Sequence, residues 1–325
     1  MNEAAQDFSG RKLALEAVRV TEAAARAASK WMGRGDEKAV DRASVEAMHQ
    51  ALLELNIDGT IRIGESSGNG DSKLLVGEKV GSGHDAIVDV ALMPVEGATI
   101  VAKGEPNGIS VIAMAEGGGF LNVPEIYMDK IAVGGNLPDN VIDLDKEPEE
   151  NLKSVAEAKG VDVGDLVVCI LDRPRHNRLI GKIREAGGRI MLIADGDVSG
   201  IIATSWAESG IDLYMGAGGA PQGVLAAAAL SCFGGQMQGR LIIRDNSDRA
   251  AAHDAGITEP DRKFSIGDMA SGDITFAATG ITSGALLGGV TNLDGVEVSH
   301  SMVMRSRTGT LRFVEGYHQF GRANP

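Results

Sequence analysis

The chain opens on a helical pattern. From Lys12 to Met32 the apolar positions Leu13, Leu15, Val18, Val20, Ala24, Ala27 and Trp31 recur at helical spacing among alanines, which predicts a helix packed closely on its neighbours. Gly33-Arg34-Gly35 stops it. A second helix is predicted from Glu37 to Leu55, and Asp36, just ahead of it, is a natural N-cap. From Gly59 to Val133 the pattern shifts to short β-branched runs, TIRI, LLV, IVDVAL, ISVIAMA and IAVG, parted by glycine-rich turns. These predict a sheet that carries functional loops.

The stretch 134–150, polar and broken by prolines, reads as a linker. Beyond it the runs LVVCILD, RIMLIAD and IDLYMG alternate with segments predicted to be helical, from Pro174, through Ala203 and from Pro221. Continuous apolar strands separated by helices predict parallel βαβ units. The expected class is therefore α/β in two subdomains, 1–148 and 149–297, with 298–325 packing back on the first. Ligands of such sheets sit on loops at the carboxyl ends of the strands. That directs attention to Asp172-Arg173-Pro174-Arg175-His176, Asp195-Gly196-Asp197 and the glycine-rich Gly216–Gly223.

Composition narrows the partners. With 325 residues the chain can bury a full core, and its formal net charge of −14 without a basic patch argues against nucleic acid. The two cysteines, Cys169 and Cys232, lie in apolar runs and read as buried thiols of a reducing compartment. The N-terminus has no apolar signal core, and the longest apolar stretch, near Val224 to Phe233, is too short to span a bilayer. A cytoplasmic protein that avoids membranes is expected.

Each loop has a chemistry and a plainer alternative. Arg173 and Arg175 place two planar guanidiniums at a strand end, suited to a phosphate or to a surface salt-bridge cluster. His176 beside them reads as a solvated or helix-capping side chain. The six histidines show no zinc spacing. Gly216–Gly223, with Pro221 at the first helical position, could face an anion with backbone N–H groups or form only a tight turn. Pro221 stands where a dinucleotide fingerprint needs its third glycine. Asp195 and Asp197 could accept hydrogen bonds from sugar hydroxyls. The strand Ile87–Leu92 runs into the turn Met93-Pro94-Val95-Glu96-Gly97-Ala98.

Read together, the segments RKLALEAVRVTEAAA, WMGRGDEKAVDRASVEAM, VPEIYMDKIAVG, DRPRH, ADGDVSG, GAGGAPQGV and MRSRTGTLRFVEGYH resemble the class II fructose-1,6-bisphosphatases of bacteria. These are members of the lithium-sensitive, metal-dependent sugar and inositol phosphatases. The resemblance covers nearly the whole chain. It implies a layered α/β/α/β/α sandwich, a homo-oligomer (dimer or tetramer), and Mg2+ or Mn2+ activating a water against the 1-phosphate of fructose 1,6-bisphosphate.

Carried over by position, the resemblance implies metal ligands at Asp36, Glu65 and Glu96, all present. It also implies losses. Ser67, Asn69 and Gly70 stand where the family has acidic side chains, Met93 where it has aspartate, Ala98 where it has threonine and Gln222 where it has glutamate. Methionine is a poor ligand for hard cations. Catalytic side chains are thus missing at Ala98 and Asn69, while Lys73 adds a positive charge to the same segment. Substrate positions implied are Glu96, Gly97, Ala98, Tyr127, Arg173, Pro174, Arg175, Asp195, Gly196, Asp197 and Gly219. The expected protein binds a sugar phosphate or bisphosphate and hydrolyses it weakly or not at all, as a sensor or as partner of an active paralogue. The alternatives are an active phosphatase with metal on Asp36, Glu65, Glu96 and Asp71 or Asp89, or a purely structural subunit.

Overall fold

The computed structural model describes the backbone of residues 3–66, 73–84 and 86–319, with side chains from residue 13 onward. The positions Ser67, Asn69 and Gly70, and Asp71 with them, lie outside the described residues. The chain forms two compact units: the first runs to Gly118 and resumes at Gly272, and the second is Gly119–Ser271. These limits differ from boundaries near 148 and 297. The 134–150 stretch lies within the second unit because its only consecutive apolar pair, Val141 and Ile142, is buried in that unit's core. Asn151 clips it further, bonding both the N–H and the carbonyl of Asp143. Residue 298 falls inside a strand.

The first unit begins with α1 (Glu3–Ser29) and α2 (Glu37–Leu53). Asp36 caps α2, its carboxylate accepting the Ala39 N–H at 3.0 Å, as its position predicts. Next come β1 (Ile57–Ile63), β2 (Lys79–Val80), β3 (Ala86–Glu96), α3 (Ala98–Lys103) and β4 (Ile109–Glu116). The LLV run forms no strand. Leu74 adopts a left-handed backbone (φ 62°) that turns its side chain into the core, and Leu75 makes only an isolated bridge to Glu65.

The second unit holds β5 (Tyr127–Gly134), α4 (Pro148–Lys159), β6 (Val167–Leu171), α5 (Asn177–Glu185), β7 (Arg189–Ile193), α6 (Asp197–Ala203) and β8 (Leu213–Gly219). It continues through α7 (Ala220–Phe233), β9 (Gly235–Leu241), α8 (Asn246–Asp254), β10 (Phe264–Ser265) and α9 (Ile266–Met269). The chain then returns to the first unit as β11 (Ile274–Gly280), β12 (Thr291–Leu293), β13 (Val296–Arg305) and β14 (Thr310–Gln319).

In the first unit the strand order is β12-β13-β11-β4-β3-β1-β2, with β14 pairing β13. Among the described strands of this unit only β1 and β3 pair in parallel. Helices α1 and α2 cover one face through Val20, Ala24, Met48 and Leu52, which meet Ile61, Val90, Ile112 and Val303. In the second unit the order is β10-β9-β5-β8-β6-β7. The parallel expectation holds for β7-β6-β8 and fails beyond it, since β5 pairs antiparallel with both β8 and β9. The predicted helices are confirmed in kind, and the class is mixed α/β.

Alternation along β5 sorts its side chains between two environments. Ile131 and Val133 join the core formed with α4 and α5, and Tyr127 and Asp129 continue that face where it is exposed. Met128 and Lys130 point the other way, toward α7, where Gly223 leaves room for them. Helix α7 is apolar all round and almost wholly buried, the behaviour of an interior helix.

Candidate functional site

In the second unit four sequence segments converge by direct contact. Tyr127, at the start of β5, sits opposite Gly219, at the end of β8. Arg175 lies over the Tyr127 ring, with its guanidinium carbon 4.8 Å from the centroid. Its Nε and Nη2 both donate to the Ala217 carbonyl, at 3.0 and 2.7 Å. Both side chains remain accessible, with Tyr127 40% exposed. A guanidinium held between a ring face and a carbonyl is oriented before any anion arrives.

His176 stands at the N-cap position of α5, but its side chain makes no cap bond and is not solvated. It is 3% exposed; its Nδ1 lies 2.7 Å from the Leu171 carbonyl and its Nε2 accepts the Ala217 N–H at 2.9 Å. Those partners require the neutral tautomer with the proton on Nδ1. Burial holds its pKa below the ordinary histidine value, opposed by the Leu171 hydrogen bond. The ring ties the end of β6 to β8, and so fixes the turn that carries Arg173 and Arg175. Arg173 donates to its neighbour's carbonyl on Asp172, and Pro174 starts a single 3-10 turn.

The glycines of 216–219 belong to β8, not to a loop before the helix, and Pro221 is the second residue of α7. Their lack of Cβ has local reasons. At Gly216, φ is 146° and a Cβ would stand 3.1 Å from the His176 ring. At Gly218 a Cβ would come within 2.1 Å of the Asp197 carboxylate. The half-buried Gln222 folds over Gly219, where a Cβ would meet its amide oxygen.

Asp195 and Gly196 follow β7, and Gly196 takes a left-handed conformation (φ 89°) to start α6. The Asp195 carboxylate accepts the Gly196 N–H at 3.0 Å. Asp197, 5% exposed, forms an ion pair with the buried Lys130, whose ammonium also donates to the Gly219 carbonyl at 2.9 Å. Sequence reading passed over Lys130. Its signal was a lysine on the core-facing register of an alternating strand, Met128-Asp129-Lys130, which demands a buried counter-charge.

The first unit holds the remaining candidates. Pairing of β3 with β4 slips between Met93 and Glu96, where Pro94 has no N–H for the ladder. Met93 is half-buried and Glu96 is buried, 3% exposed. Gly97 (φ 86°) turns the chain into α3, whose first residue is Ala98. Glu65 forms the isolated bridge with Leu75. The Asp89 carboxylate is occupied: one oxygen accepts from Arg62 Nε at 3.0 Å and the other from the Gly118 N–H at 2.6 Å. Lys73 is paired with Glu46 of α2, so its charge is already matched there.

Among the described residues, no three or more His, Cys, Asp or Glu side chains gather as a cation would require. The described carboxylates alone do not make up the implied Mg2+ or Mn2+ centre. Among the same residues no helix is long and apolar enough to cross a membrane.

Fold and site together define a mixed α/β protein whose second sheet presents arginine, tyrosine and glycine at neighbouring strand ends. Residues 11–318 match the family described as bacterial fructose-1,6-bisphosphatase, glpX-encoded. The chain is 40% identical over 329 aligned positions to fructose-1,6-bisphosphatase 1 class 2 of Escherichia coli strain K12, covering 97% of each chain. The same identity and coverage hold for the fructose-1,6-bisphosphatase class 2 of Escherichia coli O6:H1 and that of Shigella flexneri. The chain belongs to the class II fructose-1,6-bisphosphatase family.

Proposed function

We propose that this protein binds fructose 1,6-bisphosphate, or a closely related sugar phosphate, and hydrolyses it weakly or not at all. The carrying observation is the preset Arg175 guanidinium, fixed by the Ala217 carbonyl and the Tyr127 ring beside Gly219. A planar donor held in this way forms charge-assisted bonds to a phosphate with little ordering cost. Arg173, Pro174 and the Asp195-Gly196-Asp197 turn complete the sugar-phosphate set of the second unit; Glu96, Gly97 and Ala98 are the positions that the family resemblance implies in the first.

Weak hydrolysis follows from side-chain chemistry. Met93 offers a soft thioether, Ala98 no hydroxyl and Gln222 a neutral amide at positions where the family resemblance implies aspartate, threonine and glutamate. Losing one group that positions charge in a transition state costs about 10²–10³ in rate, and several in one centre cost more, though not additively. Such a protein serves as a cytoplasmic sensor, or as a homo-oligomer or partner of an active paralogue.

A second reading, an active phosphatase with divalent metal on Asp36, Glu65, Glu96 and Asp71, is favoured by 40% identity across 97% of the chain to proteins named as fructose-1,6-bisphosphatases. Phosphate release from fructose 1,6-bisphosphate by the pure protein with Mn2+ or Mg2+ separates the two. Ordinary family turnover sinks the first reading. Thermal stabilisation by the bisphosphate without metal, and without phosphate release, supports it.

A further inference from the structure

Lys130 has no exposed side-chain surface, yet it lies on a strand that carries an exposed tyrosine three residues earlier. A buried ammonium persists only where charge and hydrogen-bond acceptors meet it. Lys130 meets two. The Asp197 carboxylate comes from the first residue of α6, and the Gly219 carbonyl from the last residue of β8. Three segments of the candidate site, β5 with Tyr127, the Asp195-Gly196-Asp197 turn and the end of β8, are thus joined through one nitrogen.

The joint lies on the far side of the sheet from Tyr127 and Arg175. Lys130 shares the Met128 face of β5, which is directed to α7, whereas Tyr127 shares the opposite face with Ile131 and Val133. Neighbouring glycines make room for it. A Cβ at Gly218 would lie 2.1 Å from Asp197 Oδ2 and 2.9 Å from Lys130 Nζ, and a Cβ at Gly223 would lie 2.5 Å from Met128 Sδ and 3.4 Å from Lys130 Cδ.

We propose that Lys130 is a positioning residue of the sugar-phosphate site, and that Asp197 acts through it rather than by touching the ligand. This rests on the bisphosphate-binding reading above. By holding the Gly219 carbonyl, Lys130 fixes the strand end opposite Tyr127. By holding Asp197, it fixes the turn that presents Asp195.

The test is a double-mutant cycle read by calorimetric affinity for fructose 1,6-bisphosphate, with melting temperature as a separate readout. Lys130→Met and Asp197→Asn are each expected to weaken binding at least tenfold. The double variant is expected to be no weaker than the weaker single one, since both remove the same joint. Wild-type affinity in Lys130→Met, or losses that multiply in the double variant, would overturn the proposal and make Asp197 a direct contact. If Lys130→Met does not fold, Gly218→Ala crowds the pair without removing charge; weaker binding supports the proposal and unchanged binding overturns it. Absence of binding by the wild-type protein overturns the functional reading itself, an outcome distinct from either.

Discussion

Arg175 lies over Tyr127 with 4.8 Å between guanidinium carbon and ring centroid, while two of its nitrogens share the Ala217 carbonyl. Its planar fork lets one group stack on the ring and give two hydrogen bonds to one carbonyl, which a lysine ammonium does not reproduce. Arg175→Lys is expected to weaken fructose 1,6-bisphosphate binding by roughly tenfold, or ~1.4 kcal/mol, with little change in melting temperature because the side chain is exposed. Titration calorimetry checks it. Unchanged affinity in Arg175→Lys would mean that only charge at this position matters.

Restoring carboxylates and hydroxyl is the converse experiment. Met93→Asp, Ala98→Thr, Asn69→Asp and Gln222→Glu combined are expected to raise Mn2+-dependent phosphate release by at least ~10²-fold, the scale of one recovered positioning group. Single reversions are expected to do far less, because groups that act as a unit are not additive. A combined variant no faster than wild type would overturn the weak-hydrolysis reading.

His176 makes stability depend on pH. Burial depresses its folded pKa below the unfolded value near 6.5, so between the two the unfolded chain binds more protons. Stability is then full above the unfolded pKa and falls as acid drives the pH below about 6.5. His318, also depressed mainly by burial and by Arg26, acts in the same direction. Melting curves from pH 7.5 to 5 should decline, and His176→Gln should flatten the decline while lowering stability throughout.

Gly216 is expected to tolerate no side chain. Gly216→Ala puts a Cβ against the His176 ring in a backbone conformation that L residues rarely adopt, costing ~1–3 kcal/mol. Thermal unfolding measures the loss; a melting temperature equal to wild type would mean that the β6 turn yields at no cost.

Both cysteines are buried, and desolvation with the nearby Asp197 charge pushes the Cys169 thiol up to about 12. A thiol reagent at pH 8 should modify neither in the native protein and both after denaturation. Rapid native labelling of Cys169 would show that the α6 region opens readily.

Much of this was legible along the chain. The α1 and α2 patterns, the Asp36 cap, the long strands of the first unit and the order of β6, α5, β7 and α6 are local matters of periodicity and end chemistry. Arg173, Arg175, Asp195 and Gly219 stood out because strand ends carry ligands in α/β sheets. Leu74 and Lys130 did not, and the role of His176 was not legible, since these depend on contacts far away in sequence. The 134–150 stretch read as a linker for the same reason: composition records exposure of the many polar residues, not burial of Val141 and Ile142.

By itself the sequence determined the α/β class, most elements and the family resemblance, because each is a property of neighbouring residues or of matched motifs. Tertiary structure alone decided that β5 enters antiparallel beside β8, that the glycines of 216–219 form a strand and not a loop, and that Asp197 belongs to a buried lysine. Those outcomes depend on which surfaces exclude water together. Strand neighbours and the partners of buried charges are settled only when distant segments compete for the same interior, where an ammonium must find its carboxylate.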